Sequence, residues 1–496
     1  KPLSHIFTFF LQTSSFFQDW LSSSVFFIYK GKGSREDPNC YRSICIQDPF
    51  AKVFSTILTS RLTSFAENNE LLPRFQFGFR AKRSTSAAAT LLHQLAESRL
   101  KNSKRTYVAY VDFQKAFDRV RRPLLFYKLQ LLGVPARFCR ILEFIFRSTR
   151  YFIKSGNFFT DHFQSNVGVP QGDPISPILF NLFISDLPSY LSHDGVYLND
   201  LRVHYIQYAD DLCILGNSSE DLQRGLNDLQ RYCDENLIDI NISKTKVQIF
   251  HMGRLPSCEF SLNGQTLEIV NDFCYLGVNF SVQLSFSQHG RMINSKARSK
   301  CGLLFSRLPL ADLPIDIVLE LFDIFIIPTF TYSLSLWTSK CATSVFHSID
   351  ATYSKFLKRY LQVPAHSSNK IVHFLTSTIP LSKRLRQLAP HNIGALSFPP
   401  EMNGHRLTFL KGDNSAEEAE NIYESIPSTF WLSRNLHTIP TSQKLRRRLC
   451  REVLDSEHHL ICKSTTFHPT PTDSCICLYC SNHAHMFHHR FCEAFN

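Results

Sequence analysis

The residues from Tyr107 to Val111 form a nearly unbroken apolar run, Tyr-Val-Ala-Tyr-Val, which ends at Asp112 and Phe113. Its length and composition predict a short buried strand with Asp112 at its exit, and Lys115 to Val120 reads as the opening of a helix. Pro174 to Tyr190 begins with prolines and continues Ile178-Leu179-Phe180-Asn181-Leu182-Phe183-Ile184, a helix apolar on most sides and therefore internal. Two short strands, Val203 to Gln207 and Leu212 to Leu215, flank the turn Tyr208-Ala209-Asp210-Asp211. Ser218 and Ser219 are caps for a helix with Leu222, Leu226, Leu229 and Cys233 at helical spacing. Short strands resume at Ile238-Asp239-Ile240, Lys246 to Phe250 and Tyr275 to Val278, with Pro256 and Gly264 marking connections. This order predicts an α+β architecture, a small antiparallel sheet with helices packed on one face.

From about Gln288 the pattern turns helical. The first segment carries Arg291, Lys296, Arg298, Lys300 and Arg307, the second runs from Ile317 to Leu336, and the third spaces Phe346, Ile349, Tyr353, Phe356 and Tyr360 beside Lys355, Lys358 and Arg359. Ile315 to Leu336 is the most membrane-like stretch, but Asp316, Glu320, Asp323 and Pro328 interrupt it, so it reads as a buried bundle helix and no membrane partner is expected. Beyond Val363 periodicity is poor, and only the basic stretch Lys444 to Arg448 stands out. No internal repeat is visible.

Composition sharpens this picture in two ways. The 496 residues hold 54 Lys and Arg against 42 Asp and Glu, a net charge of +12 that favours a polyanionic partner such as nucleic acid. Fifteen cysteines are mostly scattered singly, which points to a reducing intracellular compartment rather than a disulfide framework. The start Lys1-Pro2-Leu3 has no initiator methionine and no signal architecture, and is compatible with a piece of a longer reading frame. Nothing in the chain indicates an oligomeric state.

The candidate chemistry lies in the acids. Asp210 and Asp211 sit at a hairpin tip, and Asp112 ends a strand about a hundred residues upstream. Two ionised carboxylates ~4 Å apart repel by about 4 kcal/mol at an effective dielectric of ~20, so a fold that converges three of them calls for divalent cations. A pair of Mg²⁺ ions in such a site stabilises the attacking and leaving oxygens of an in-line phosphoryl displacement.

Three blocks follow one another in order: Val111-Asp112-Phe113-Gln114-Lys115-Ala116-Phe117-Asp118, then Val169-Pro170-Gln171-Gly172-Asp173-Pro174-Ile175-Ser176-Pro177, then Tyr208-Ala209-Asp210-Asp211. On these the chain resembles a reverse transcriptase, most closely that of a non-LTR retrotransposon, over roughly residues 20 to 362. Phe27 to Gly33 and Asn39 to Ile44 resemble finger blocks, and Gln76-Phe77-Gly78-Phe79-Arg80 with Arg83-Ser84-Thr85 resembles the block after them. Asn241 to Lys246 and Tyr275-Leu276-Gly277 resemble the lysine block and primer-grip turn, while Ser43 stands where the family has proline.

The resemblance implies that Asp112, Asp210 and Asp211 hold two magnesium ions, Asp112 and Asp210 being the principal ligands. It implies that Phe117 lies under the nucleotide sugar and excludes a 2′-hydroxyl, and that Lys30 and Arg42 grip the triphosphate. Gln171 and Gly172 form a turn whose missing Cβ lets backbone approach template base and nucleotide, and Lys244 is a candidate general acid for the departing pyrophosphate. The implied partners are an RNA template, a DNA primer and deoxynucleoside triphosphates. The implied location is nucleus and cytoplasm.

The tail offers zinc ligands at Cys477, Cys480, His488 and Cys492, with Cys475 and His489 as competing choices. It resembles the zinc knuckle that follows many non-LTR polymerases. The expected organisation is a right-hand polymerase: fingers and palm over residues 1–285, a helical thumb over 286–362, an ill-defined connector over 363–470, and the knuckle over 471–496. Two other readings compete, a catalytically inactive or domesticated nucleic-acid-binding relic and a group II intron-type maturase. The intact acid trio argues against the first, and the knuckle, with no nuclease motif evident after the thumb, against the second.

Overall fold

The computed structural model describes residues 2–13, 16–31, 33–155, 158–255 and 257–394. They fall into two compact units, one ending at Leu284 and one beginning at Ser285. The zinc candidates Cys477, Cys480, His488 and Cys492, and the stretch Lys444 to Arg448, lie outside the described residues.

The first unit mixes helices and sheets. Its central sheet has five strands in the order Glu268–Ile269, Lys246–Phe250, Thr106–Asp112, Asp211–Gly216, Tyr205–Tyr208. All neighbours pair antiparallel except the first two, which are parallel. Thr106–Asp112 is buried along its length until Asp112, as a strand covered on both faces must be. The helices Thr85–Lys101 and Ser219–Asn236 pack on this sheet. Ser218 caps the second of them by accepting from the Asp221 N–H, as the sequence predicts. Tyr110 and Asp112 share a face by the two-residue period of a strand, and Tyr110 stacks on Phe273 with ring centroids 3.9 Å apart. The hairpin Asp272–Tyr275 and Val278–Ser281 therefore covers the face from which Asp112 projects.

A second sheet of the same unit runs Tyr41–Gln47, Ser22–Tyr29, Arg150–Ser155, Phe158–Phe159. The helix Pro2–Thr13, which the sequence reading does not anticipate, buries Phe7 and Phe10 against Trp20 and Phe54.

Several boundaries differ from the periodicity. Ile238 to Ile240 forms no strand, only a single bridge between Ile240 and Phe113, flanked by bonds from Gln114 N–H to the Asp239 carbonyl and from Asn241 N–H to the Asp112 carbonyl. The predicted helix from Pro174 is two short ones, Ser176–Phe183 and Leu187–Tyr190.

The second unit is helical throughout its described residues. Ser287–Arg307 and Thr343–Leu361 are long, but the apolar stretch between them breaks into Ile315–Phe325, Ile327–Thr331 and Leu334–Thr338. Pro328 near the start of the second piece and Ser333 at φ +50° account for the breaks. Trp337 is fully buried and donates from Nε1 to the Phe330 carbonyl at 3.2 Å. Two further helices, Asn369–Leu375 and Leu381–Gly394, continue past residue 362, and Arg384 grips Asp323 through two bonds of 2.6 and 2.7 Å. No helix among the described residues is long and apolar enough to cross a membrane.

Candidate active site

Asp112 and Asp211 are direct partners across the ladder of Thr106–Asp112 with Asp211–Gly216, which sets their Cα atoms about 5 Å apart with both side chains on one face. Tyr208 pairs with Asp211, so Ala209 and Asp210 alone form the turn. The backbone thus gathers all three acids. Partial burial at the start of its strand pushes Asp211 up to about 6, and the neighbouring charges of Asp210 and Asp112 add to the shift even though the side chain reaches solvent. Asp210 is also raised, first by burial and then by Asp112, while the Arg42 charge pulls it down.

The strand end is anchored by the segment after Ile240. Asn241 N–H donates to the Asp112 carbonyl at 2.7 Å, and the buried Thr245 hydroxyl accepts from the Asp112 N–H at 3.3 Å while donating to the Asn241 carbonyl at 2.9 Å. Lys244, one residue earlier, extends its ammonium to 3.5 Å from Asp112 Oδ2.

The remaining sequence candidates divide. Phe117 lies on the short helix Ala116–Arg119 and stacks on Phe180, with centroids 4.7 Å apart, while Phe79 meets its edge at 6.4 Å. Arg42 is exposed on Tyr41–Gln47, opposite Ile28, and its charge reaches Asp210. Lys30 is exposed at the end of Ser22–Tyr29 and donates to the Asn39 carbonyl at 2.7 Å. Gln171 donates from Nε2 to Asp118 Oδ1 at 3.1 Å, and its carbonyl accepts from Cys45 N–H at 2.7 Å. Gly172 adopts φ +107°, and a Cβ there would stand 2.5 Å from the Cys45 carbonyl oxygen. One close approach that requires this glycine is thus to the strand Tyr41–Gln47 of the protein itself.

Sequence reasoning gave no role to Gln76, Thr245 or Asp118. Gln76 opens the block Gln76-Phe77-Gly78-Phe79-Arg80, but nothing in the spacing shows that its side chain bonds to Ala209.

Three carboxylates are hard oxygen donors of the kind magnesium takes, and their mutual repulsion makes a cation welcome. Among the described residues no three His, Cys, Asp or Glu side chains form a ready-made metal cluster. The donor set therefore fits magnesium in chemistry and in backbone placement, without being a preformed cage. Of the two cations expected at the triphosphate, Arg42 lies within electrostatic reach of Asp210, while Lys30 follows the strand Ser22–Tyr29 and donates to Asn39.

Residues 30–280, just over half of the chain, match the family model described as reverse transcriptase (RNA-dependent DNA polymerase). The RNA-directed DNA polymerase from mobile element jockey of Drosophila melanogaster is 25% identical over 418 residues, covering 82% of this chain and 44% of that protein. The probable RNA-directed DNA polymerase from transposon BS of the same fly is 26% identical over 296 residues, 58% of this chain and 32% of that protein. The chain spans less than half the length of these curated relatives. Among solved structures, apo telomerase from Candida Tropicalis aligns at 11% identity and a TM-score of 0.41, covering 85% of this chain and 73% of that one, which is too loose to carry an argument. The match over residues 30–280 decides the matter: the chain belongs to the reverse transcriptase family.

Proposed function

We propose that this chain is the polymerase portion of a non-LTR retrotransposon protein, adding deoxynucleotides to a primer 3′-hydroxyl on an RNA template. The observation that carries the reading is the register that pairs Asp112 with Asp211 and sets Asp210 in the adjoining turn. Bound by these acids, magnesium would neutralise phosphate charge and favour ionisation of the primer hydroxyl. The protein's own work is placement. Asp112, Asp210 and Asp211 hold negative charge at one point, Lys30 and Arg42 offer cations to the triphosphate, and Phe117 fills the space beneath the sugar. Lys244, beside Asp112, holds a proton near the departing pyrophosphate.

In this reading the first unit acts as fingers and palm and the helical unit as thumb, whose Arg291, Lys296, Arg298 and Lys300 are exposed for a duplex backbone. The tail cysteines and histidine Cys477, Cys480, His488 and Cys492 would hold zinc and add nucleic-acid affinity. The protein would work in the reducing nucleus and cytoplasm. The test is incorporation of labelled deoxynucleotide on RNA-templated, DNA-templated and template-free primers with magnesium. Extension on the RNA template supports the reading; binding of primer-template without extension on any template overturns it in favour of a binding relic.

A further inference from the structure

The turn that carries Asp210 is held from outside its own hairpin. Ala209, the residue before Asp210, is 4% exposed and adopts φ +56°, as the first position of a primed two-residue turn requires. Such a turn leaves the N–H and carbonyl of its first residue unpaired within the hairpin, and buried backbone groups need partners. Two glutamine side chains supply them. Gln76 Oε1 accepts from the Ala209 N–H at 2.9 Å, and Gln207 Nε2 donates to the Ala209 carbonyl at 2.9 Å. Both glutamines are fully buried.

Gln76 does more than fill a gap. The same oxygen accepts from the Gly78 N–H at 2.7 Å, and Asn181 Nδ2 donates to the Gly78 carbonyl at 2.9 Å. Phe77 N–H donates to the Gln207 carbonyl at 2.7 Å and Gln207 N–H to the Phe75 carbonyl at 2.9 Å, so the segment lies along the hairpin edge as a short parallel bridge. The approach is so close that a Cβ on Gly78 would collide with Ala209 N. Gln76 Nε2 and Gln207 Oε1 are buried without a hydrogen-bond partner. An apolar side chain of similar shape would avoid that cost, so packing alone does not explain an amide here.

We infer that Gln76 is a positioning residue for the metal-binding turn: its amide oxygen, bridging Ala209 and Gly78, fixes the backbone from which Asp210 and Asp211 reach a divalent cation. The inference rests on the reading of these aspartates as metal ligands. Gln76 is fully buried and its amide oxygen bonds to backbone N–H groups. It acts because a small, geometrically demanding cation binds well only to carboxylates held in place.

The test is a Mn²⁺ titration of the full chain followed by electron paramagnetic resonance, with Asp210→Asn as reference and a thermal melt of each protein. Gln76→Met keeps the volume and removes the acceptor; Gln76→Ala removes both. Both variants are expected to lose about tenfold in Mn²⁺ affinity, the size of effect usual for groups that orient metal ligands, with the cooperative melt retained in Gln76→Met. If Gln76→Met binds Mn²⁺ as tightly as the wild type while Asp210→Asn does not, the inference about Gln76 falls and the metal reading stands. A wild type with no Asp210-dependent Mn²⁺ binding overturns both. Weakened Mn²⁺ binding in Gln76→Met, found together with a wild type that does not extend primers, upholds Gln76 and overturns the polymerase reading alone.

Discussion

Lys244 Nζ lies 3.5 Å from Asp112 Oδ2, on a side chain that is 68% exposed. A solvent-facing pair at this distance adds little stability, so the proposed proton-donor role can be tested apart from folding. Lys244→Met is expected to lower the maximal extension rate by about a hundredfold, within the range for a lost general acid, and to leave the melting temperature nearly unchanged. Single-turnover extension at saturating nucleotide reads the effect. A change confined to the nucleotide concentration needed for half-maximal rate contradicts the proton-donor role.

Phe117 stacks on Phe180 and is half-buried beside Phe79. In the proposed sugar-facing role, trimming it to valine opens the volume a 2′-hydroxyl would fill. Competition between ribo- and deoxynucleotides should shift toward the ribonucleotide by about ten- to a hundredfold in Phe117→Val, the scale of a steric pocket change. An unchanged ratio would show that the ring is only a core contact.

Gly172→Ala separates the structural role of the turn glycine from its expected role at template and nucleotide. The substitution combines a strained φ of +107° with a contact to the Cys45 carbonyl, and is expected to destabilise the first unit by about 2 kcal/mol or more. Urea denaturation measures it. Loss of activity at full stability would contradict a purely structural role and favour the reading in which the glycine serves the template and nucleotide.

His289 lies buried, edge-on to Trp337, and burial pushes its imidazole down to about 4, with Lys296 adding to the shift. With an unfolded value near 6.5, the unfolded chain takes up the proton first as pH falls. The stability this group contributes is whole above about 6.5 and drains away as pH drops toward 4, by up to about 3 kcal/mol. Urea melts at pH 7 and 4.5 should show a smaller acid loss in His289→Gln than in the wild type; equal losses contradict the assignment.

Much of the site can be read along the chain because its acids interrupt strong local patterns. Asp112 ends an apolar run and Asp210-Asp211 splits two others, so strand, turn and strand follow from residue types alone. Gln76 and Thr245 are different. Each bonds to a backbone group 133 residues away, Gln76 to Ala209 and Thr245 to Asp112, and such a contact leaves no periodic mark. The helix Pro2–Thr13 was hidden for another reason, since its phenylalanines fill an aromatic cluster with Trp20 and Phe54 rather than an amphipathic stripe. In the helical unit Pro328 signals a break within the apolar stretch, but the left-handed Ser333 carries no such signal.

The central claim is that Asp112, Asp210 and Asp211 act as one metal-dependent centre for nucleotide addition. Primer extension on an RNA template, with wild type, Asp112→Asn and Asp210→Asn compared at equal primer-template occupancy and rising magnesium, addresses it directly. Extension by the wild type that falls at least a thousandfold in both variants, ~4 kcal/mol of lost transition-state stabilisation, is the predicted result. Wild-type extension that survives either substitution, or that proceeds without a divalent cation, would contradict the account.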